Sequence, residues 1–212
     1  MYTQAHLIVG LALAGRSGWR TRLAGAVGGI LPDAAILTLL LVGLVARWSG
    51  EEIWGDRYFD RDTFFFWGRA IGNSLTLWLL LSLIGWGLRQ RWLLVFALAG
   101  LLHAFTDLLL HYDDGHPHFW PFTTAQLVSP VSYWDVSHCA GWWMPIETLT
   151  IMALMGWVFF QSRALAARLL MGVLSGATLA IYLVALVFTY APSASTRPVA
   201  CDLSAGFSWR MP

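Results

Sequence analysis

His103, Asp107 and His111 recur at four-residue intervals in the stretch LLHAFTDLLLHYDDGHPHFWPF (101–122). That stretch holds four of the chain's six histidines and three of its twelve acidic residues. On an α-helix this spacing keeps all three side chains on one face, within an arc of roughly 80°. Imidazole nitrogen together with carboxylate oxygen suits zinc, manganese or iron. Asp114, His116 and His118 follow at once, in a Gly/Pro-rich turn that can fold back over the same point. The first half of the stretch is as apolar as a membrane helix, where ionisable groups are costly unless paired or ligated. Metal ligation is the chemistry this pattern points to.

Plainer readings stand beside it. His103 and Asp107 could hydrogen-bond each other inside a bundle, and His111 could be an ordinary interfacial histidine. His116 and His118 flank a proline and could be solvated. Glu147, next to Pro145 and the pair Trp142 and Trp143, reads either as a helix-start carboxylate favoured by the dipole or as a general base. Other chemistries fare worse. Haem between helices needs facing axial histidines, and only His103 lies well inside an apolar window. The chain has no Gly-x-Ser-x-Gly elbow. GAVGGI (25–30) lacks the Gly-Lys-Ser/Thr of a phosphate loop and reads as a small-residue packing surface.

Lipid is the solvent for the elements that position these groups. Only 12% of the 212 residues are charged, against about a quarter in a soluble domain. A net charge of +1 gives no basic face for nucleic acid. About 20 apolar residues cross a bilayer, and the windows 70–88, 92–110, 142–160 and Leu165–Tyr190 come close. The window 23–46 is interrupted by Leu31–Asp33, where the proline disfavours helix at the residue before it. It reads as one kinked span or as two short helices turning back at Asp33. The hairpin is preferred because it brings His6 and Asp33 to the same end. Residues 47–69 read as an interfacial loop. The expected architecture is all-α: a polytopic membrane bundle of five or six helices over 1–190, an outer loop at 112–141, and an irregular tail at 191–212.

Arginines set the orientation. The turns at 16–22, 89–91 and 163–168 carry three, two and two arginines, and 93–161 carries none. Cytoplasmic loops collect basic residues, so the histidine-rich loop faces the other side. No secretory leader is evident in MYTQAHLIVG. Cys139 and Cys201 then share an oxidising compartment in which a disulfide is open to them, although spacing alone does not fix its geometry.

His6 in AHLIVG, Asp33 in GGILPD, the helix LLHAFTDLLL and the closing GHPHFWPF together resemble the bacterial membrane-bound metal-dependent hydrolases. These are the LexA-binding, inner-membrane hydrolase family. The resemblance covers about the first 125 residues, and the order of the four motifs carries it. It implies His6, Asp33, His103 and Asp107 as metal ligands, and an inner-membrane, multi-pass protein. Two positions depart from the family pattern. Ala35 stands where a second acid is usual, and Asn73, in GNSL, stands where the family carries a histidine.

The resulting expectation is a divalent-metal site, zinc by preference, at the outer membrane interface. His6, Asp33, His103, Asp107 and His111 are the ligands, with Asp107 or Glu147 as general base. The activity expected is hydrolysis of an ester or phosphoester, with membrane lipids as the surrounding partners. Four ligands fill one coordination sphere, so one ion per chain is expected, with His111, His116 and His118 as the residues able to build a second site. The alternative is a non-catalytic accessory subunit, bound to a membrane protein partner and keeping a degenerate site.

Overall fold

The computed structural model describes residues 1–162, 165–190, 201, 203 and 206–211. Within them the chain is an all-α bundle: α1 (Thr3–Ala14), α2 (Trp19–Ile30), α3 (Ala34–Ala46), α4 (Phe64–Gly72), α5 (Leu75–Gly87), α6 (Arg91–Leu110), α7 (Ala140–Gln161) and α8 (Leu165–Tyr190). Two three-residue strands, β1 (Gln126–Val128) and β2 (Ser208–Arg210), complete it. Three helical stretches among the described residues are long and apolar enough to cross a membrane: Trp19–Ala46, Arg91–Leu110 and Ala140–Gln161. A fourth is the bent pair α4–α5. This is fewer than the five or six expected, because α1 has only 12 residues, about 18 Å at 1.5 Å per residue. In α8 the described apolar stretch is the shorter Met171–Val184, and Arg163 lies outside the described residues.

The hairpin expected at Asp33 does not form. Leu31–Asp33 is a single 3-10 turn with Pro32 near its start, and α2 runs through it into α3 as one 28-residue apolar stretch. Proline is tolerated in a first helical turn, where its missing N–H leaves no partner unsatisfied. The reversal lies earlier, at 15–18, where Gly15 takes φ 57° after α1. The small-residue surface GAVGGI lets α2 press on two neighbours. A Cβ on Gly25 would lie 2.2 Å from the Gly10 carbonyl oxygen of α1, and one on Gly28 2.1 Å from the Phe96 carbonyl oxygen of α6. Backbones this close exclude any larger residue. The α1–α2–α6 contact is thus fixed by glycine, and it carries His6 and His103 to one level.

The window 70–88 is not one straight helix. Asn73 and Ser74 interrupt it, and the two halves meet at 46°. Ser74 caps α5 by accepting from the Leu77 N–H at 3.1 Å, and it donates to the Trp120 carbonyl. Residues 47–69 are more structured than a loop. They contain a π-turn (Glu52–Arg57) and α4, whose N-cap Thr63 accepts from the Phe66 N–H. The tail is not wholly irregular either. β2 pairs antiparallel with β1, Leu127 opposite Trp209, and a disulfide joins Cys139 to Cys201. Three residues of strand have no periodicity to read, so only the partner strand makes the segment visible; 191–200 lies outside the described residues.

Candidate metal centre

His103 and Asp107 project from α6 as the i, i+4 spacing requires, and both are almost fully buried. The glycine-packed contact supplies the rest. At Gly29 a Cβ would stand 2.3 Å from the His6 carbonyl oxygen, so α1 is held flush and its His6 ring stacks on His103 with centroids 3.5 Å apart. His6 Nε2 lies 3.2 Å from Asp107 Oδ1, and His103 Nε2 lies 3.0 Å from Asp107 Oδ2. Asp33, from the 3-10 turn, places Oδ1 3.4 Å from His103 Nε2, while its Oδ2 accepts from the Thr3 hydroxyl at 2.5 Å. The cluster therefore sits near the middle of the span Trp19–Ala46, not at its end. The 13 residues of α3 carry that span about 20 Å further.

The loop after α6 folds back over the same carboxylate. His111 Nε2 stands 3.6 Å and His116 Nε2 3.9 Å from the Asp107 oxygens. Two triads result, His6–His103–Asp107 and Asp107–His111–His116, each with its ligand atoms within 4.8 Å of one another and all its residues buried. Asp107 belongs to both. The loop thus brings a second set of nitrogens around the shared acid, from His111 and His116, two of the residues expected to be able to build a second site. The Met1 amine also reaches Asp107 Oδ1, at 3.0 Å, so the carboxylate already draws a cation.

Ring orientation carries chemical information. A carbonyl can only accept, so the 2.7 Å contact between His103 Nδ1 and the Gly29 oxygen places the proton on Nδ1. In the neutral ring the lone pair is then on Nε2, which has no aligned hydrogen-bond partner. His118 repeats the device. Its Nδ1 donates to the Asn73 carbonyl at 3.0 Å, and its Nε2 is without a partner. Metal-binding histidines are commonly held in this way, one nitrogen on a backbone oxygen and the other free for the ion. In His116 both ring nitrogens lack partners among the described residues.

The charges in the loop are unequal. Burial by itself lowers the pKa of His111, but the Asp114 and Asp107 carboxylates outweigh it and raise the value to about 9. For His116 burial again lowers, and the neighbouring charges of His111 and Arg69 push the same way, well below the ordinary value. Burial takes His118 down to about 4.

Of the residues expected from sequence, His6, Asp33, His103, Asp107 and His111 come together. Glu147 does not join them. Its Oε1 accepts from the Tyr2 N–H and its Oε2 from the Trp143 indole, each at 3.1 Å, so it anchors the start of α1. Ala35 is buried beside Gly68, and the Asn73 amide donates to the Pro32 and Arg69 carbonyls instead of turning to the cluster. Sequence reasoning passed over Arg69. It assigned 47–69 to a loop, although a Thr63 cap ahead of FFFWGRAIG carries a helix signal and puts an arginine inside an apolar run. Beside the cluster a cavity of about 630 Å³ is lined by Trp54, Tyr58, Phe59, Asp114, Tyr133 and Trp134 among others. No protein-family model, curated protein or solved structure matches this chain.

Proposed function

We propose that the chain is a membrane-embedded, metal-dependent hydrolase whose substrate is an ester or phosphoester. The observation that carries the reading is Asp107. One buried carboxylate is shared by two histidine triads. The His103 Nε2 faces the Asp107 and Asp33 carboxylates without an aligned hydrogen bond, and the His116 and His118 Nε2 atoms have no hydrogen-bond partner among the described residues. Buried polar atoms are rarely left unsatisfied, so these orphaned nitrogens fit a cation that they would ligate. His6, His103 and Asp107 would hold one ion with Asp33 alongside. Asp107, His111 and His116 would hold a second, and zinc suits a donor set of imidazoles and carboxylate. When bound, such an ion acidifies a water and polarises an ester or phosphoester oxygen.

The chain's own groups prepare that chemistry. Gly29 and Asn73 fix the His103 and His118 rings, Asp107 spans the two halves of the centre, and the loop 111–139 shields it from bulk water. The family resemblance agrees with a hydrolase of the bacterial inner membrane, and the arginine pattern supports a periplasmic loop. The Cys139–Cys201 disulfide suits that compartment. Elemental analysis of protein purified without chelators, with turnover of model esters and phosphoesters, tests the reading. Two ions per chain with chelator-sensitive turnover is the expected result. A chain with no metal and a stable protein partner would replace the reading with the accessory-subunit one.

A further inference from the structure

Arg69 is fully buried in α4, at 0% exposure, and Nε, Nη1 and Nη2 all lack a hydrogen-bond partner among the described residues. None of the ion pairs among those residues involves it, and its nearest support is aromatic. The guanidinium carbon lies 3.6 Å from the centroid of the Tyr58 ring, with Phe59 at 5.6 Å and Phe66 at 5.9 Å. A cation–π contact offsets only part of the loss of hydration. An uncompensated buried cation is among the most costly features a fold can keep. Five N–H donors in a rigid fork, held dry and unpaired, are prepared for an anion that comes from outside the chain.

The position says what that anion belongs to. Tyr58 holds the guanidinium on its ring, and the same ring stands 6.5 Å from the His116 ring of the second triad. Tyr58 also lines the cavity beside the cluster and donates to the Asp114 carbonyl oxygen at 2.9 Å. Of the two acids that line that cavity, Asp114 is engaged, its Oδ1 lying 2.9 Å from His111 Nδ1.

We infer that Arg69 binds the oxyanion of a phosphoester substrate, placing its phosphate between the guanidinium and the His111–His116 side of the centre. A carboxylic ester brings a neutral carbonyl that does not call for a buried guanidinium. A phosphoester carries a fixed negative charge that matches the fork bidentately. The inference rests on the hydrolase reading above and narrows its substrate class. Arg69 is a binding residue here, and no bond is made or broken on it.

The test is binding of inorganic phosphate to the full chain in detergent, by calorimetry, with metal content measured on the same samples. The wild type is expected to bind phosphate. Arg69→Gln should weaken binding at least tenfold with metal content unchanged, and Arg69→Lys, which keeps the charge and loses the fork, should fall between. Without phosphate, Arg69→Gln should melt no lower than the wild type, because it removes an unpaired buried charge. Phosphate should raise the wild-type melting temperature alone. Wild-type phosphate affinity in Arg69→Gln overturns the inference and leaves the metal reading standing. If Arg69→Gln does not fold, wild-type affinity in Arg69→Lys overturns it in the same way. Arg69-dependent phosphate binding by a chain that holds no metal would support the anion site while sinking the hydrolase reading. A competition arm identifies the source of the phosphate. Displacement by phosphatidate in mixed micelles supports a lipid phosphoester. Displacement only by a short water-soluble phosphomonoester supports a soluble one.

Discussion

Asp107 and Glu147 are carboxylates of equal depth, each 2% exposed and each on a membrane-crossing helix, yet their surroundings differ in kind. Around Glu147 stand neutral donors fixed to it at hydrogen-bond distance, an amide N–H and an indole N–H. Around Asp107 stand four imidazole nitrogens and an ammonium, and two of the nitrogens, His103 Nε2 and His116 Nε2, have no aligned hydrogen-bond partner. Depth and chemical type are therefore poor guides to role. A buried acid whose neighbours satisfy it holds structure together, and one whose neighbours still lack partners is arranged for something that binds.

The largest effect that would break this contrast is Asp107→Ala. Both triads lose the carboxylate they share, so metal content should fall from two ions per chain to none, read by elemental analysis. A variant that still held two ions would show that the carboxylate does not bridge. Single-triad changes sharpen the point. His103→Ala and His116→Ala should each leave about one ion per chain, because they belong to different triads around Asp107. Equal and complete loss in both would mean one site, not two.

Glu147→Gln is the counterpart on the other carboxylate. The amide keeps one acceptor but loses the charge and one acceptor oxygen, which costs about 1–2 kcal/mol of stability. Thermal melting should show that loss while metal content stays at the wild-type value. A drop in metal would draw Glu147 into the centre after all. The smallest effect belongs to Asp135, in the loop outside the spans. Burial raises its pKa, but the His138 ring and the Ser137 N–H outweigh that and hold it below 3.8. A depressed folded value means stability that is present above 3.8 and lost as pH falls through the lower folded value. Asp135→Asn should flatten the melting curve against pH in that acid window, melting slightly below the wild type at neutral pH and converging with it at the acid end. An unchanged acid slope would remove Asp135 as its source.

Much of the centre could be read along the chain because helical periodicity is local. His103, Asp107 and His111 share a face by spacing alone, and GAVGGI announced a close contact because only glycine permits one. Hydropathy likewise gave the membrane class and the spans of α6 and α7. Which helix pair would turn back was not local. The chain reverses at 15–18 and runs straight through Leu31–Asp33, since a proline in a first turn is compatible with either path. His116 and His118 were visible only as histidines around a proline. Their burial came from Ser74 and Leu75 docking the loop at Trp120 and His118.

Composition, periodicity and the order of the motifs thus determined a lipid-solvated helical bundle with an ionisable face on α6. Tertiary structure decided that Asp107 has two sets of neighbours, that Glu147 is satisfied, and that Arg69 is not. The physical reason is that a carboxylate or guanidinium has the same formula wherever it lies. Its role is set by which partners approach within hydrogen-bond distance, and the ones that helical spacing could not give come from far along the chain, His6 101 residues from Asp107 and Tyr2 145 residues from Glu147.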